Sequence, residues 1–507
     1  MKKIWGALLA CVMLLTAMPA LAADEITSGA FSYIINESGS ITITDIDENK
    51  CNSDVIVPDV LDGYTVTAIG EKAFMNAPIT TVNIPASIET IGAGAFANCP
   101  LSQFIVSPAN NTFTTIDGVL YNKTTKTLVA YPMKKTGEIT IPEGILAIGD
   151  YAFYVELRPH HDVDKWSGKP YKRNDKKRFA MRYSSDNEIW YSIKWPSTLH
   201  SIGDYAFYGR DFSSEYVGAT SSSRYDHNYF LLPDSVESIG DYAFSYCRFT
   251  LPEGDFVLNS YTITLAKGLK NMGEGCFKDA VIDNEDTDGT YTISIGGNVT
   301  DIADFAFYGF SATKACYAEK AAMTITLPPN TKNIGSGAFE KSIPVKGFND
   351  VFPETIGENT FANTGFFETE ITIHNSIKVI SANAFSGLAS VNEYDSFWDN
   401  RKQIPVKIVL EEGIETIEAD AFAGQFYLSD VQLCSTLTEI GEGAFSGCEE
   451  LTSITIPSSV TSIGENAFEK SIITISVYAS SYAEQWCKEN GYSYSIEGQN
   501  SLDWLNN

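Results

Sequence analysis

Between residues 155 and 195 the chain reads VELRPHHDVDKWSGKPYKRNDKKRFAMRYSSDNEIWYSIKW. Trp166, Tyr171, Tyr183, Trp190, Tyr191 and Trp195 make this stretch dense in aromatic rings. Ten Lys or Arg against six Asp or Glu also make it basic. Trp, Tyr and Arg are the residues that anchor protein interfaces, and aromatic faces also stack on sugar rings. These six residues are therefore the candidate ligand-binding set, with a protein or other cell-surface ligand as the expected partner and a glycan as the alternative. The bland reading is a long loop that packs its own rings and leaves its lysines in water. A second stretch, YGRDFSSEYVGATSSSRYDHNYF at 208–230, adds tyrosine and serine that would line the same side.

Metal and catalytic chemistry find less support. Asn284, Asp286, Asp288 and Gly289 follow part of a calcium loop, but Asn stands at the first ligand position and Ile295 where a bidentate Glu is needed. His160, His161, Asp162 and Asp164 lack a third ligand at helical spacing. No metal and no cofactor is expected. The chain contains no G-x-S-x-G, H-E-x-x-H or G-x-x-x-x-G-K-[ST] motif. No catalytic residue is assigned, and the expected activity is binding without turnover.

The ends and the charge set the compartment. Lys2 and Lys3 precede an apolar run from Ile4 to Leu15, and Ala20-Leu21-Ala22 forms a cleavage site. Residues 1–22 thus read as a secretory signal peptide, with too short an apolar run to span a bilayer. A lipoprotein reading of Leu8-Leu9-Ala10-Cys11 has too few apolar residues before the cysteine. The expected localisation is secreted or associated with the cell surface, without a membrane span. The formal charge of −29 becomes −31 once Lys2 and Lys3 are removed, which repels phosphate backbones and excludes a nucleic-acid partner. Eight cysteines follow Ala22, sparse and without a C-x-x-C. Cys99, Cys247 and Cys448 each stand three residues after a phenylalanine of the repeat described next. They are expected as core thiols rather than bridges.

What must position any binding residue is a repeat. SIGDYAF occurs at 201–207 and again at 238–244, and AIGDYAF at 147–153. Thirteen copies close to I-G-x-x-A-F end at Phe74, Phe96, Phe153, Phe207, Phe244, Phe277, Phe307, Phe339, Phe361, Phe385, Phe422, Phe445 and Phe468. The tightest spacings are 22–24 residues, the widest 57, which is the signature of a solenoid with insertions. In LTSITIPSSVTSIGENAFEK (451–470), Ile454 and Ile456 alternate with polar residues as a short strand that Pro457 ends. Gly464 is expected to make a corner before a helical turn. Nine copies place Asp or Glu after this Gly position, Asp204 among them, and these carboxylates are expected to cap that turn. Tyr151, Tyr205 and Tyr242 occupy a variable position of the motif and are not read as a site. Outward strand positions such as Thr81, Asn83, Thr264, Thr292 and Thr455 form a polar ladder, mostly of hydroxyls, which suits an exposed strand as readily as a polar ligand.

The pattern L-x-x-I-x-I-P-x-x-V-x-x-I-G-x-x-A-F-x-x-C resembles the BspA-type leucine-rich repeat of bacterial surface and secreted proteins, over roughly residues 66–475. FTTIDGVLYNKTTKTLVAYP (113–132) resembles the hairpin insert of that family, and VYASSYAEQWCKENGYSYS (477–495) its terminal segment, with a short helix from Ser481 to Asn490 closed by Gly491. The resemblance implies a β-rich α/β solenoid, a curved right-handed leucine-rich-repeat array of short parallel strands joined by short helical or irregular turns. It would hold about 13 repeats and long insertions in its middle. The expected organisation is a signal peptide at 1–22, an N-terminal capping segment at 23–65, the solenoid at 66–475 with insertions at 113–132, 155–195 and 208–230, and a C-terminal cap and tail at 476–507. The implied function is adhesion or protein–protein binding, with no shared catalytic residues. A carbohydrate-binding or carbohydrate-active protein, or a surface spacer without specific ligand, is the alternative.

Overall fold

The computed structural model describes residues 25–135, 139–156, 193–212, 227–230, 232–250, 260–283, 290–313, 323–365, 370–387, 406–471 and 473–498. They fall into two units. The first holds residues up to 123 together with 132–134, the second residues 124–131 and 135 onward.

In the first unit, Ile26–Ser28, Phe31–Ile35 and Ile41–Ile46 form an antiparallel meander whose alternating Tyr33, Ile41 and Ile43 are buried. Tyr64–Ile69 then pairs parallel to Ile41–Ile46, and Thr90–Ile91 parallel to Tyr64–Ile69, so the ladder of coils begins on the last strand of the meander. A second parallel ladder joins Asp54–Ile56, Thr81–Ile84 and Gln103–Val106. Phe113–Ile116 and Val119–Asn122 make the expected hairpin, turning at Asp117 and Gly118, both with positive φ.

The second unit is built from coils whose equivalent strands lie parallel and in register. One ladder runs through His227–Phe230, Ser260–Thr264, Thr290–Ser294, Met323–Thr326 and Val345–Lys346. Another is made of two-residue strands ending at the repeat isoleucine position, as in Ala147–Ile148, Ser201–Ile202 and Ser238–Ile239, with Met272 taking that place in Asn271–Met272. Strands this short satisfy their backbone only because the neighbouring coil supplies partners. The core between the ladders is a column of rings. From Phe153 to Phe468 the eleven repeat phenylalanines stack one on the next, with centroids 4.6–5.6 Å apart and planes within 23° of parallel. Each is at most 2% exposed. Within the first unit, Phe74 and Phe96 meet edge-on instead, at 5.5 Å and 64°.

The I-G-x-x-A-F turn differs from expectation in two ways. It is a turn and not a helix, because its N–H groups point to the next coil: Tyr205 N–H bonds Asp241 O and Phe207 N–H bonds Ala243 O, both at 2.8 Å. In four copies the aspartate at the position after the glycine follows suit. Instead of capping its own turn, Asp150 Oδ1 accepts from the N–H of Asp204 at 2.9 Å, and Asp204 from Asp241 at 2.8 Å. Asp241 accepts from Glu274 at 2.8 Å and Asp304 from Ser336 at 2.7 Å. Nor does the glycine make a corner through positive φ. A Cβ on Gly464 would lie 2.3 Å from Glu442 N, so glycine is required there by the approach of the adjacent coil.

The cysteine position acts the same way in the opposite direction. The side chain three residues after the phenylalanine donates to the carbonyl of the preceding copy's phenylalanine, as Cys99 does to Phe74 at 2.8 Å, Cys448 to Phe422 at 3.3 Å and Ser471 to Phe445 at 3.1 Å. Thr364 does so to Phe339 and Gln425 to Phe385. Cys51, Cys99, Cys276, Cys434, Cys448 and Cys487 are free thiols. Burial pushes Cys99 and Cys448 up to about 12, which leaves them protonated and unreactive. At the end of the unit the expected helix spans Tyr482–Asn490. Ser481 Oγ accepts from Glu484 N–H at 3.2 Å, and Gly491 closes the helix at φ 76°. Among the described residues no helix is long and apolar enough to cross a membrane.

Candidate functional site

The residue two before each repeat phenylalanine has a left-handed backbone in all thirteen copies, with φ between 53° and 63°. Glycine, asparagine and aspartate tolerate that conformation, and eight copies use them, for example Gly94, Asn359 and Asp420. Four copies place a large ring there instead: Tyr151, Tyr205, Tyr242 and Phe305. A bulky side chain in this region costs of order 1–3 kcal/mol, so something must offset it.

Part of the offset is stacking. Tyr151 and Tyr205 lie 4.9 Å apart at 9°, and Tyr205 and Tyr242 5.2 Å apart at 19°. Where the aromatic run stops, the next copy must be glycine. A Cβ on Gly275 would sit 2.6 Å from the Tyr242 ring, and one on Gly337 2.6 Å from the Phe305 ring. A second row lies beside the first. Tyr154 and Tyr208, each directly after its phenylalanine, stack at 5.2 Å, and Tyr246 meets Tyr208 edge-on at 5.4 Å. Tyr151–Tyr154 and Tyr205–Tyr208 contacts at 5.2 and 5.8 Å join the rows. The six tyrosines thus form one half-buried patch on the turn side of the second unit.

Carboxylates run along it, one per coil, at Asp150, Asp204, Asp241 and Glu274. The Tyr242 hydroxyl donates to Glu274. Burial pushes Tyr154 and Tyr246 up to about 12, helped by the neighbouring Tyr208 phenol and the Asp279 carboxylate respectively, so the patch is lined with protonated hydroxyl donors. At its far end the chain's own cations lie on rings. Lys278 Nζ is 5.0 Å from the centre of Tyr308 and 5.5 Å from that of Phe305. Lys341 Nζ is 5.0 Å from Tyr308 and donates to its hydroxyl at 2.9 Å.

Of the residues the sequence singles out, Trp195 is half-buried and packs edge-on against the core ring of Phe207 at 5.7 Å. Trp166, Tyr171, Tyr183, Trp190 and Tyr191 lie outside the described residues, as do the stretches 284–289 and 160–164. Among the described residues no three His, Cys, Asp or Glu side chains are grouped as metal ligands. The tyrosine patch escaped the sequence reading, although its signal was present: tyrosine recurs at one position in three successive copies of the heptapeptide.

The family model described as BspA type leucine rich repeat region (6 copies) matches residues 44–155, 221–312, 311–405 and 394–490, more than half of the chain. The chain belongs to this family. Solved structures it is similar to include a leucine rich cell surface protein from Faecalibacterium prausnitzii at 18% identity, covering 96% of this chain and 97% of that one with a TM-score of 0.36. A leucine-rich repeat protein from Bacteroides ovatus is similar at 17%, 93% and 99%, with a TM-score of 0.38. The pneumococcal vaccine antigen PcpA is similar at 14%, 94% and 100%, with a TM-score of 0.30. No curated protein matches the chain. The BspA-type repeat accounts for the isoleucine, alanine and phenylalanine that recur in most coils. It does not account for rings at a backbone position that other BspA-type copies of this same chain give to glycine or asparagine.

Proposed function

We propose that this is an exported bacterial protein, secreted or held at the cell surface, that works by binding another protein, as in adhesion, and carries out no turnover. In this reading the thirteen copies wind as a curved right-handed array, residues 1–22 are removed on export, and 23–65 and 476–507 cap the array. The observation that carries the proposal is the set of aromatic side chains held at left-handed positions. Strain retained at a surface, where a smaller residue would relieve it, is a mark of function. Tyrosine is also the residue that supplies large, rigid contact area at low entropic cost. The rings expected to bind from the sequence, Trp166, Tyr171, Tyr183, Trp190 and Tyr191, would add to this surface. Tyr154 stands immediately before the 155–195 insertion that carries them, and Tyr208 is the first residue of the 208–230 insertion.

The test is a Tyr151→Asn/Tyr205→Asn/Tyr242→Asn variant, which keeps the backbone preference and removes the rings. Parent and variant are applied to arrays of purified extracellular proteins and of glycans. Binding of the parent to at least one protein, lost in a variant with an unchanged circular dichroism spectrum, is the expected result. Hits on glycans alone, or protein binding that survives the substitutions, would overturn the assignment of this face.

A further inference from the structure

We infer that the segment this face receives is a lysine- or arginine-rich polypeptide; the inference rests on the binding role proposed above and names the partner's chemistry. The first observation is internal to the chain. Where the outer rings resume at Phe305 and Tyr308, Lys278 and Lys341 place ammonium groups 5.0–5.5 Å from the ring centres. The same kind of surface, at the tyrosine copies, is built from phenol rings, which take a cation on a face that the stack leaves open and not at an edge.

The second observation is the charge beside those rings. Asp150, Asp204, Asp241 and Glu274 repeat once per coil beside Tyr151, Tyr205, Tyr242 and Gly275. A backbone N–H bonded to an aspartate oxygen leaves the carboxylate its full charge. Asp279 lies close enough to Tyr246 to accept its hydroxyl proton in a hydrogen bond. An extended basic segment laid along the coils would therefore meet a ring and an anion at each step. The formal charge of −29 would steer such a segment inward and turn away anionic glycans, nucleic acids and acidic lipid surfaces. A neutral sugar could use the rings but would have no use for the carboxylates.

The experiment uses the full mature chain with fluorescent ten-residue oligolysine and oligoarginine peptides, oligoglutamate as the control, and anisotropy as the readout. Expected are binding of both basic peptides, a fall in affinity with added salt, and a loss of at least tenfold in the triple Tyr→Asn variant. Tyr151→Phe/Tyr205→Phe/Tyr242→Phe, which keeps the rings, should stay within about threefold of the parent. A control replacing Glu439, Glu442 and Glu465 by Gln removes three negative charges from other coils and should have little effect. The inference fails if the triple Asn variant binds the basic peptides as the parent does, because diffuse attraction to an acidic protein would then explain everything. It also fails if an array partner lost in that variant is not displaced by oligoarginine. That last result would leave the binding role of the face standing and remove only the proposed chemistry of its partner.

Discussion

Two columns of aromatic rings run through the coils of the second unit, one inside and one outside, with nearly the same geometry. Phe153, Phe207 and Phe244 stack at 4.6 and 5.2 Å; Tyr151, Tyr205 and Tyr242, two residues earlier in the same coils, stack at 4.9 and 5.2 Å. The inner column continues through every later copy, sits on an ordinary backbone, and is sealed from water. The outer one occupies selected copies, sits on a strained backbone and stays half-exposed. Both spacings follow from the distance between coils, so stacking by itself says nothing about purpose. What separates the columns is whether the residue agrees with its local backbone. Agreement at every copy is the mark of architecture, and disagreement at chosen copies marks a surface shaped for something else.

The comparison can be broken most directly within one coil. Phe207→Ala should cost about 3–5 kcal/mol in a denaturant titration, the range for truncating a buried phenylalanine in a well-packed core. Tyr205→Asn should change stability by less than about 1 kcal/mol, because relief of the left-handed strain offsets the lost ring contact. If both cost the same, the outer column is simply more core. An intermediate effect is expected between the columns. Asp204→Ala removes the acceptor for Asp241 N–H and should cost about 1 kcal/mol, whereas Asp204→Asn, which keeps an acceptor oxygen, should cost less.

The smallest effect is expected from charge. Burial raises the Asp279 carboxyl above its ordinary value, against the opposing hydrogen bond from Tyr246. A carboxylate raised in the fold is held in its disfavoured charged form at neutral pH. The folded state therefore loses stability relative to the unfolded one as pH rises from the unfolded value through the folded one. Asp279→Asn should melt at a higher temperature than the parent at pH 7, with the gap closing as pH falls through the carboxylate range. A gap that is constant with pH would mean the gain is steric.

Much of the architecture was legible because one residue type answers one demand. Isoleucine, alanine and phenylalanine recur where the core is, and Ser481 and Gly491 bracket the helix with the residues helix ends require. Roles that depend on the neighbouring coil were not legible. Asp204 is as good an acceptor for its own turn as for the next coil, and only the approach of Asp241 decides between them. Gly464 is glycine for a neighbour's backbone, not for its own dihedral angles. The tyrosine patch was hidden twice over. Its members stand 54 and 37 residues apart in the chain, and tyrosine is the wrong residue for a left-handed site. The six rings proposed from the insertion were visible as composition, because aromatic and basic residues stand out without any geometry.

The left-handed position has a consequence for how such a surface changes over generations. Its backbone is set by the coil and is the same whether glycine, asparagine or tyrosine occupies it. A single codon can therefore raise or erase a ring without disturbing the core two residues away. The freedom has one rule of order, since a ring leans over the following coil and, where no further ring follows to stack on, glycine stands there, as at Gly275 and Gly337. A scaffold of this kind can thus change its outer face one residue at a time while its interior stays unedited.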